Sequence, residues 1–148
     1  MTDLTVERHE KWEPVEGIVT AAARAVVRED HEGLVVTMIF SEIADGPASD
    51  LRIRLGRVAA YTVFEEFVHP WDSAQTESPM IGDGSKRSVF PLLLIHNSEW
   101  MRSLSDLLIG FPDCVHYRLL TLDEIVDVLS NQQPEVTWVS GVESLPRE

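Results

Sequence analysis

Cysteine is nearly missing from this chain. Cys114 stands alone among 148 residues, so no disulfide can form within the chain, and that usage fits a reducing compartment. Basic residues are also scarce: twelve Lys and Arg face twenty-five Asp and Glu, giving a net charge of −13. Such a field repels phosphate backbones and anionic headgroups, so neither nucleic acid nor a membrane surface is expected as a partner, whereas a basic protein is compatible. Long apolar runs are absent too. The longest, Phe90 to Ile95, is far shorter than the roughly 20 residues that a spanning helix needs. Asp3, Glu7, Arg8, Glu10, Lys11 and Glu13 leave no room for a signal-peptide core near the start, and the expected location is cytoplasmic.

No internal repeat or low-complexity tract appears, so the length predicts a single domain over 1–148 that needs no disulfide or metal to hold its core. Residues 1–16 read as a charged N-terminal arm pinned by Trp12, and 141–148 as a frayed tail. Ala23, Ala25 and Val27 alternate with Arg24, Val26 and Arg28, and Asp30-His31-Glu32-Gly33 is a turn signal before Leu34 to Phe40. That combination predicts a hairpin. Leu51, Ile53 and Leu55 alternate with Arg52, Arg54 and Gly56 as in a half-wet strand, and extended chain is expected from Val58 to Val68. Residues 70–87 have loop composition over an unusual length, which marks them as a mobile or working surface.

The last third predicts alternating elements. Phe90 to His96 reads as a buried strand, with Ser98 as the N-cap of a helix that Gly110 ends and whose Trp100, Leu104, Leu107 and Leu108 face inward. Val115 to Leu120 is a strand. Thr121-Leu-Asp-Glu124 then has the form of a capping box, and Leu122, Ile125, Val126 and Leu129 fall on one helical stripe. Val136 to Val139 fits a final strand. The expected architecture is therefore α+β: one mainly antiparallel sheet of about five to seven strands, with two C-terminal helices on one face.

Chemistry-bearing residues form no known motif. His9 and His31 read as solvated. His69, His96 and His116 sit at or near predicted strand ends, without the spacing of a metal site, so neither metal nor cofactor is expected. Asn97 and Ser98, at a strand-to-helix junction, with Trp100 as a wall, are candidates for a small pocket together with those three histidines; capping and turning explain the same polar residues more simply. There is no G-x-S-x-G elbow, and Gly82 to Lys86 resembles a phosphate loop in composition only. Glu65 and Glu66 point to opposite faces of extended chain. Asp123 and Asp127, placed opposite the apolar stripe of the predicted second helix, are candidates for an exposed acidic interaction surface.

The segments "HNSEW", "HYRLLTLDEIVDVLS" and "PEVTW", within residues 96–138, resemble a group of small bacterial single-domain proteins of uncharacterised function. In size and acidity those proteins look like the immunity-type proteins that bacteria pair with toxins. The −13 charge and the lack of any catalytic constellation lead to the expectation of a non-enzymatic interaction protein that binds a basic partner through an acidic surface. The resemblance adds an immunity-like role to that expectation. The alternative is a small-molecule-binding or hydrolytic domain using a pocket of His69, His96 and His116.

Overall fold

The computed structural model describes residues 6–65 and 77–140, without the Lys86 side chain. Eleven strands occur among them: β1 (Arg8–Lys11), β2 (Arg24–Asp30), β3 (Gly33–Ile39), β4 (Ser49–Gly56), β5 (Ala60–Glu65), β6 (Met80–Ile81), β7 (Ser88–Val89), β8 (Leu92–His96), β9 (Val115–Leu120), β10 (Glu124–Ser130) and β11 (Glu135–Ser140). Among the described residues one α-helix, α1, spans Glu99–Ser103, and short 3-10 turns cover Gly84–Lys86 and Ser105–Leu107.

The strands form three sheets, not one. A five-stranded sheet has the order β1-β8-β9-β10-β5, a four-stranded sheet the order β11-β4-β3-β2, and β6 and β7 make a separate small hairpin. All strand pairings are antiparallel. A single apolar cluster joins the two larger sheets: Val36, Met38, Leu51 and Ile53 from the four-stranded sheet meet Leu92, Tyr117, Leu119, Val126 and Val128 from the five-stranded one. This is a two-layer arrangement of sheets, and it replaces the expected single sheet covered by two helices.

The predicted second helix is strand β10. Its residues are buried on both faces of the sheet, with Ile125, Asp127 and Leu129 on one side and Val126 and Val128 on the other. A strand buried on both faces gives a near-continuous apolar run, and such a run also satisfies the i, i+3, i+4, i+7 template. The β-branched Ile125, Val126 and Val128 then favour the sheet. Leu122, assigned to the buried stripe, is instead exposed at the hairpin tip.

Thr121 and Glu124 are used much as a helix start would use them, but in a turn between β9 and β10. Thr121 Oγ1 accepts from the amides of Glu124 at 3.0 Å and Asp123 at 3.2 Å. The Thr121 amide goes to the Glu124 backbone carbonyl at 2.9 Å. The Glu124 carboxylate, instead of returning to that amide, accepts from the Ala25 amide at 2.9 Å. That bond, with the Ala22–Thr121 bridge, ties the turn to the chain entering the other sheet.

The first predicted helix does form, but it stops at Ser103. Ser103 Oγ donates to the Trp100 carbonyl, and a 3-10 turn follows from Ser105. Serine side chains compete for backbone partners in this way and shorten helices. Trp100 is buried as expected, whereas Leu107 is 77% exposed.

The N-terminal arm is also part of the sheet. β1 pairs with β8 from Arg8↔His96 to Lys11↔Leu93, and Trp12 packs against Tyr117 with ring centroids 4.9 Å apart. The Arg24–Ile39 hairpin turns at His31 and Glu32, and Gly33 adopts φ 117°, where an added Cβ would collide with the Gly56 carbonyl. Of the predicted loop, residues 70–76 lie outside the described residues; the remainder contains β6, a 3-10 turn and the approach to β7. The tail 141–148 likewise lies outside them.

Candidate functional site

Of the candidate histidines, the two among the described residues, His96 and His116, do not converge. Residues directly opposite in an antiparallel pair share a face, and successive residues alternate. His116 lies opposite Ile95, so His96, one residue further along β8, points to the other face of the sheet. There it bonds Glu10 of β1 at 2.8 Å and is half-exposed. His69 lies outside the described residues.

His116 instead sits at the centre of a closed polar chain. Its Nδ1 is 2.6 Å from Ser98 Oγ and its Nε2 is 2.5 Å from Asp127 Oδ1, which also accepts from Arg118 Nε at 2.8 Å. The antiparallel register of β9 and β10 creates this cluster by placing Arg118 directly opposite Asp127, with His116 diagonal to it on the same face. Ser98 arrives from the adjacent strand. Asn97 takes φ 54° after β8, turns the chain, and gives its side-chain amide to the Val6 carbonyl. Ser98 Oγ then caps α1 by accepting from the Met101 amide at 3.0 Å. Trp100 closes the cluster, its ring 5.4 Å from the imidazole.

These contacts assign the protons. Ionised Asp127 takes the Nε2–H of His116, which leaves Nδ1 as the acceptor for the Ser98 hydroxyl. Burial drives the His116 pKa below its ordinary value and outweighs the opposing pull of Asp127, so the neutral ring is the native form. A Ser–His–Asp chain with a neutral imidazole has the residue order of an acyl-transfer triad, but the ring is turned round, with Nδ1 towards the serine and Nε2 towards the carboxylate. Its surroundings are also closed. Ser98 is 2% exposed, and His116 and Asp127 are 0% exposed. The Glu99 amide, the backbone donor that follows the hydroxyl, is taken by Glu7 Oε1 at 3.1 Å. Burial alone would raise the Glu7 pKa, but hydrogen bonds from His9 and the Glu99 amide, with the nearby Arg118 charge, bring it below the usual carboxylate value. Glu7 is thus held as an anion where an oxyanion would need its donor.

Sequence reasoning missed Glu7, His9 and Arg118. His9, expected in solvent, is buried and bonds Ser78 Oγ at 2.8 Å and Glu7 at 3.3 Å. Asp127, expected on an acidic helix surface, lies in the interior of the sheet, because that helix is a strand; Asp123 alone of the pair is exposed.

On the outer side of Ser98 lies a hollow of about 410 Å³. Met101, Leu108, Phe111 and Pro112 give it apolar walls, and Asn97, Arg102, Asp113 and Cys114 also line it. Burial pushes the Cys114 thiol up, away from the reactive thiolate. Leu107 and Ile109, 77% and 84% exposed, belong to the same 104–112 segment, which also carries exposed Asp106. Among the described residues, no group of three or more His, Cys, Asp or Glu side chains is placed to hold a metal ion, and no helix is long and apolar enough to cross a membrane.

No family model, curated protein or solved structure matches the chain.

Proposed function

We propose that this is a non-enzymatic binding protein that engages a basic protein partner, with the hollow beside α1 as its anchoring point. One observation carries the reading. Leu107 and Ile109 stand in solvent on the 104–112 segment, which bears Asp106. Leu108, Phe111 and Pro112 of that segment wall an apolar hollow also lined by Asp113, in a chain of net charge −13. Exposed apolar side chains grouped around a concavity mark contact surfaces more than scattered ones do. Acids at the margin favour a partner segment in which apolar residues are interleaved with lysine or arginine. An immunity-type protein occupying a basic toxin would be one instance.

The test uses a synthetic peptide of alternating leucine and lysine as a probe. The charge-neutral pair Leu107→Ser and Ile109→Ser should weaken its binding about tenfold or more, as loss of two buried apolar contacts implies. Equal affinity for the parent and the double variant would overturn the proposal, since charge alone would then account for binding.

A second reading, hydrolysis at Ser98, is favoured by the Ser98–His116–Asp127 chain. Against it stand the closed surroundings and the occupied Glu99 amide. A fluorophosphonate probe decides: labelling of the parent that disappears in Ser98→Ala would establish a reactive serine, and an unlabelled parent would remove this reading.

A further inference from the structure

The two larger sheets differ in width, five strands facing four, and the mismatch falls at β5. Tyr61 and Val63 lie opposite Val128 and Val126, so they share the face that the apolar core occupies. They are nevertheless 37% and 43% exposed. Two hydrogen bonds locate β5. Glu124, on the same face of neighbouring β10, reaches the Ala25 amide of β2, and Tyr61 bonds Glu29 near the other end of that strand. Among the described residues β2 is the last strand of its sheet, so β10 lies over its rim and β5 one strand beyond. Tyr61 and Val63 therefore point at the place of a fifth strand that the smaller sheet lacks. A hollow of about 610 Å³, bordered by Glu29, Val58, Ala60 and Tyr61, opens at the same rim.

The backbone of β2 faces that gap. Asp30 and Gly33 close a two-residue turn, so alternation directs the backbone groups of Arg24, Val26 and Arg28 toward β3 and those of Ala25, Val27 and Glu29 away from it. Glu124 takes the Ala25 amide, and among the described residues no strand pairs with Val27 or Glu29 on that side. An added strand would bond Val27 and Glu29 and turn alternate side chains toward Val27, Tyr61 and Val63. Its remaining side chains would stand beside Arg24 and Arg28 on the outer face, where β4 adds Arg52 and Arg54. Acidic residues suit those positions, because opposite charges in neighbouring strands attract. A second copy of the chain cannot supply the strand from its own β2. In a two-fold pairing its β5 would have to occupy the space that this β5 already fills. A single extended segment, without a second layer, meets no such obstacle.

We infer that the rim of β2 binds an extended segment of a partner protein, with apolar and acidic residues alternating, as a fifth strand of the smaller sheet. This surface is separate from the hollow beside α1, and the lysines of a leucine–lysine peptide would be repelled here by Arg24 and Arg28. The probe is a short peptide of alternating valine and glutamate, with its valine–lysine counterpart as control, each titrated into the isotopically labelled full chain. The glutamate peptide should give saturable shifts at Val27, Glu29, Tyr61 and Val63. It should slow hydrogen exchange at the Val27 and Glu29 amides and leave Val26 and Arg28, already bonded to β3, unchanged. The lysine peptide should bind about tenfold more weakly, since cross-strand attractions become repulsions. Val27→Pro removes an outward amide and no bond to β3, a change that edge strands tolerate, and it should weaken binding about tenfold or more. Arg28→Glu, at an exposed position, should reverse the preference between the two peptides and keeps the test decisive if the proline variant does not fold. Shifts that never saturate, or that fall away from β2 and β5, would overturn the inference. Equal affinity for the two peptides, or an unchanged preference in Arg28→Glu, would overturn it as well.

Discussion

Asp127 is the residue on which the polar layer depends. Its Oδ1 serves both Arg118 and His116, and no water reaches any of the three in quantity. Removing one member of a buried ion pair leaves the other charge uncompensated, so Asp127→Ala should cost about 3–5 kcal/mol of stability, read as a large fall in the urea midpoint. A loss below about 1 kcal/mol, the size typical of an exposed pair, would contradict the burial described here. His116 adds a pH signature. Its pKa is depressed by burial, so the folded chain keeps the ring neutral, while the unfolded chain binds a proton as pH falls through the ordinary 6.5. More protons on the unfolded state mean that stability is complete above that value and declines as pH falls below it. The depressed Glu7 carboxyl acts with the same sign, its contribution being lost as pH falls below the ordinary 4.5. His116→Gln should flatten the upper part of this acid limb even if it lowers stability throughout. Midpoints measured across the range would show it, and an unchanged slope in the variant would place the titration elsewhere.

At the scale of elements, the turn between β9 and β10 governs how the chain is read. Thr121→Val keeps the shape but leaves the Glu124 and Asp123 amides without their shared acceptor, which should cost about 1–3 kcal/mol and speed hydrogen exchange at Glu124. Stability unchanged within error would show that the hydroxyl does not organise the turn. The same four residues explain both the main success and the main error of sequence reasoning. Thr121 was legible as a residue whose side chain satisfies the amide three residues on, and that bond exists. The bond does not distinguish a helix start from a hairpin turn, because both place the i+3 amide over the hydroxyl. Taking it as a helix cap put Asp127 on a wet surface and hid the Arg118–Asp127 opposition, which follows directly once the turn is a hairpin. Local alternation was more informative where one face is wet: Leu51, Ile53 and Leu55 face inward from β4, as the pattern indicates. The contribution of β1 was not legible. Its apolar content is low, and it is held by Glu10–His96 and Glu7–Glu99 contacts across more than 80 residues of chain, which no local pattern encodes.

For the molecule as a whole, composition and surface bear on one question, which is what the acidic exterior is for. If it serves recognition, an apolar anchor beside α1 and a long-range field act together, and screening should reduce the association rate without moving the point of contact. If it serves solubility alone, a cationic probe should spread over every acidic region, including the exposed Glu29, Asp30 and Glu32 near the β2–β3 turn. The most direct test is nuclear magnetic resonance mapping of the leucine–lysine peptide on the labelled chain at two salt concentrations. The account predicts shifts confined to the hollow and its margin, at Met101, Asp106 to Ile109, Phe111 and Asp113, weaker at high salt but at the same residues. Shifts centred on Glu29 to Glu32, or scattered over the acidic surface and erased by salt, would contradict it.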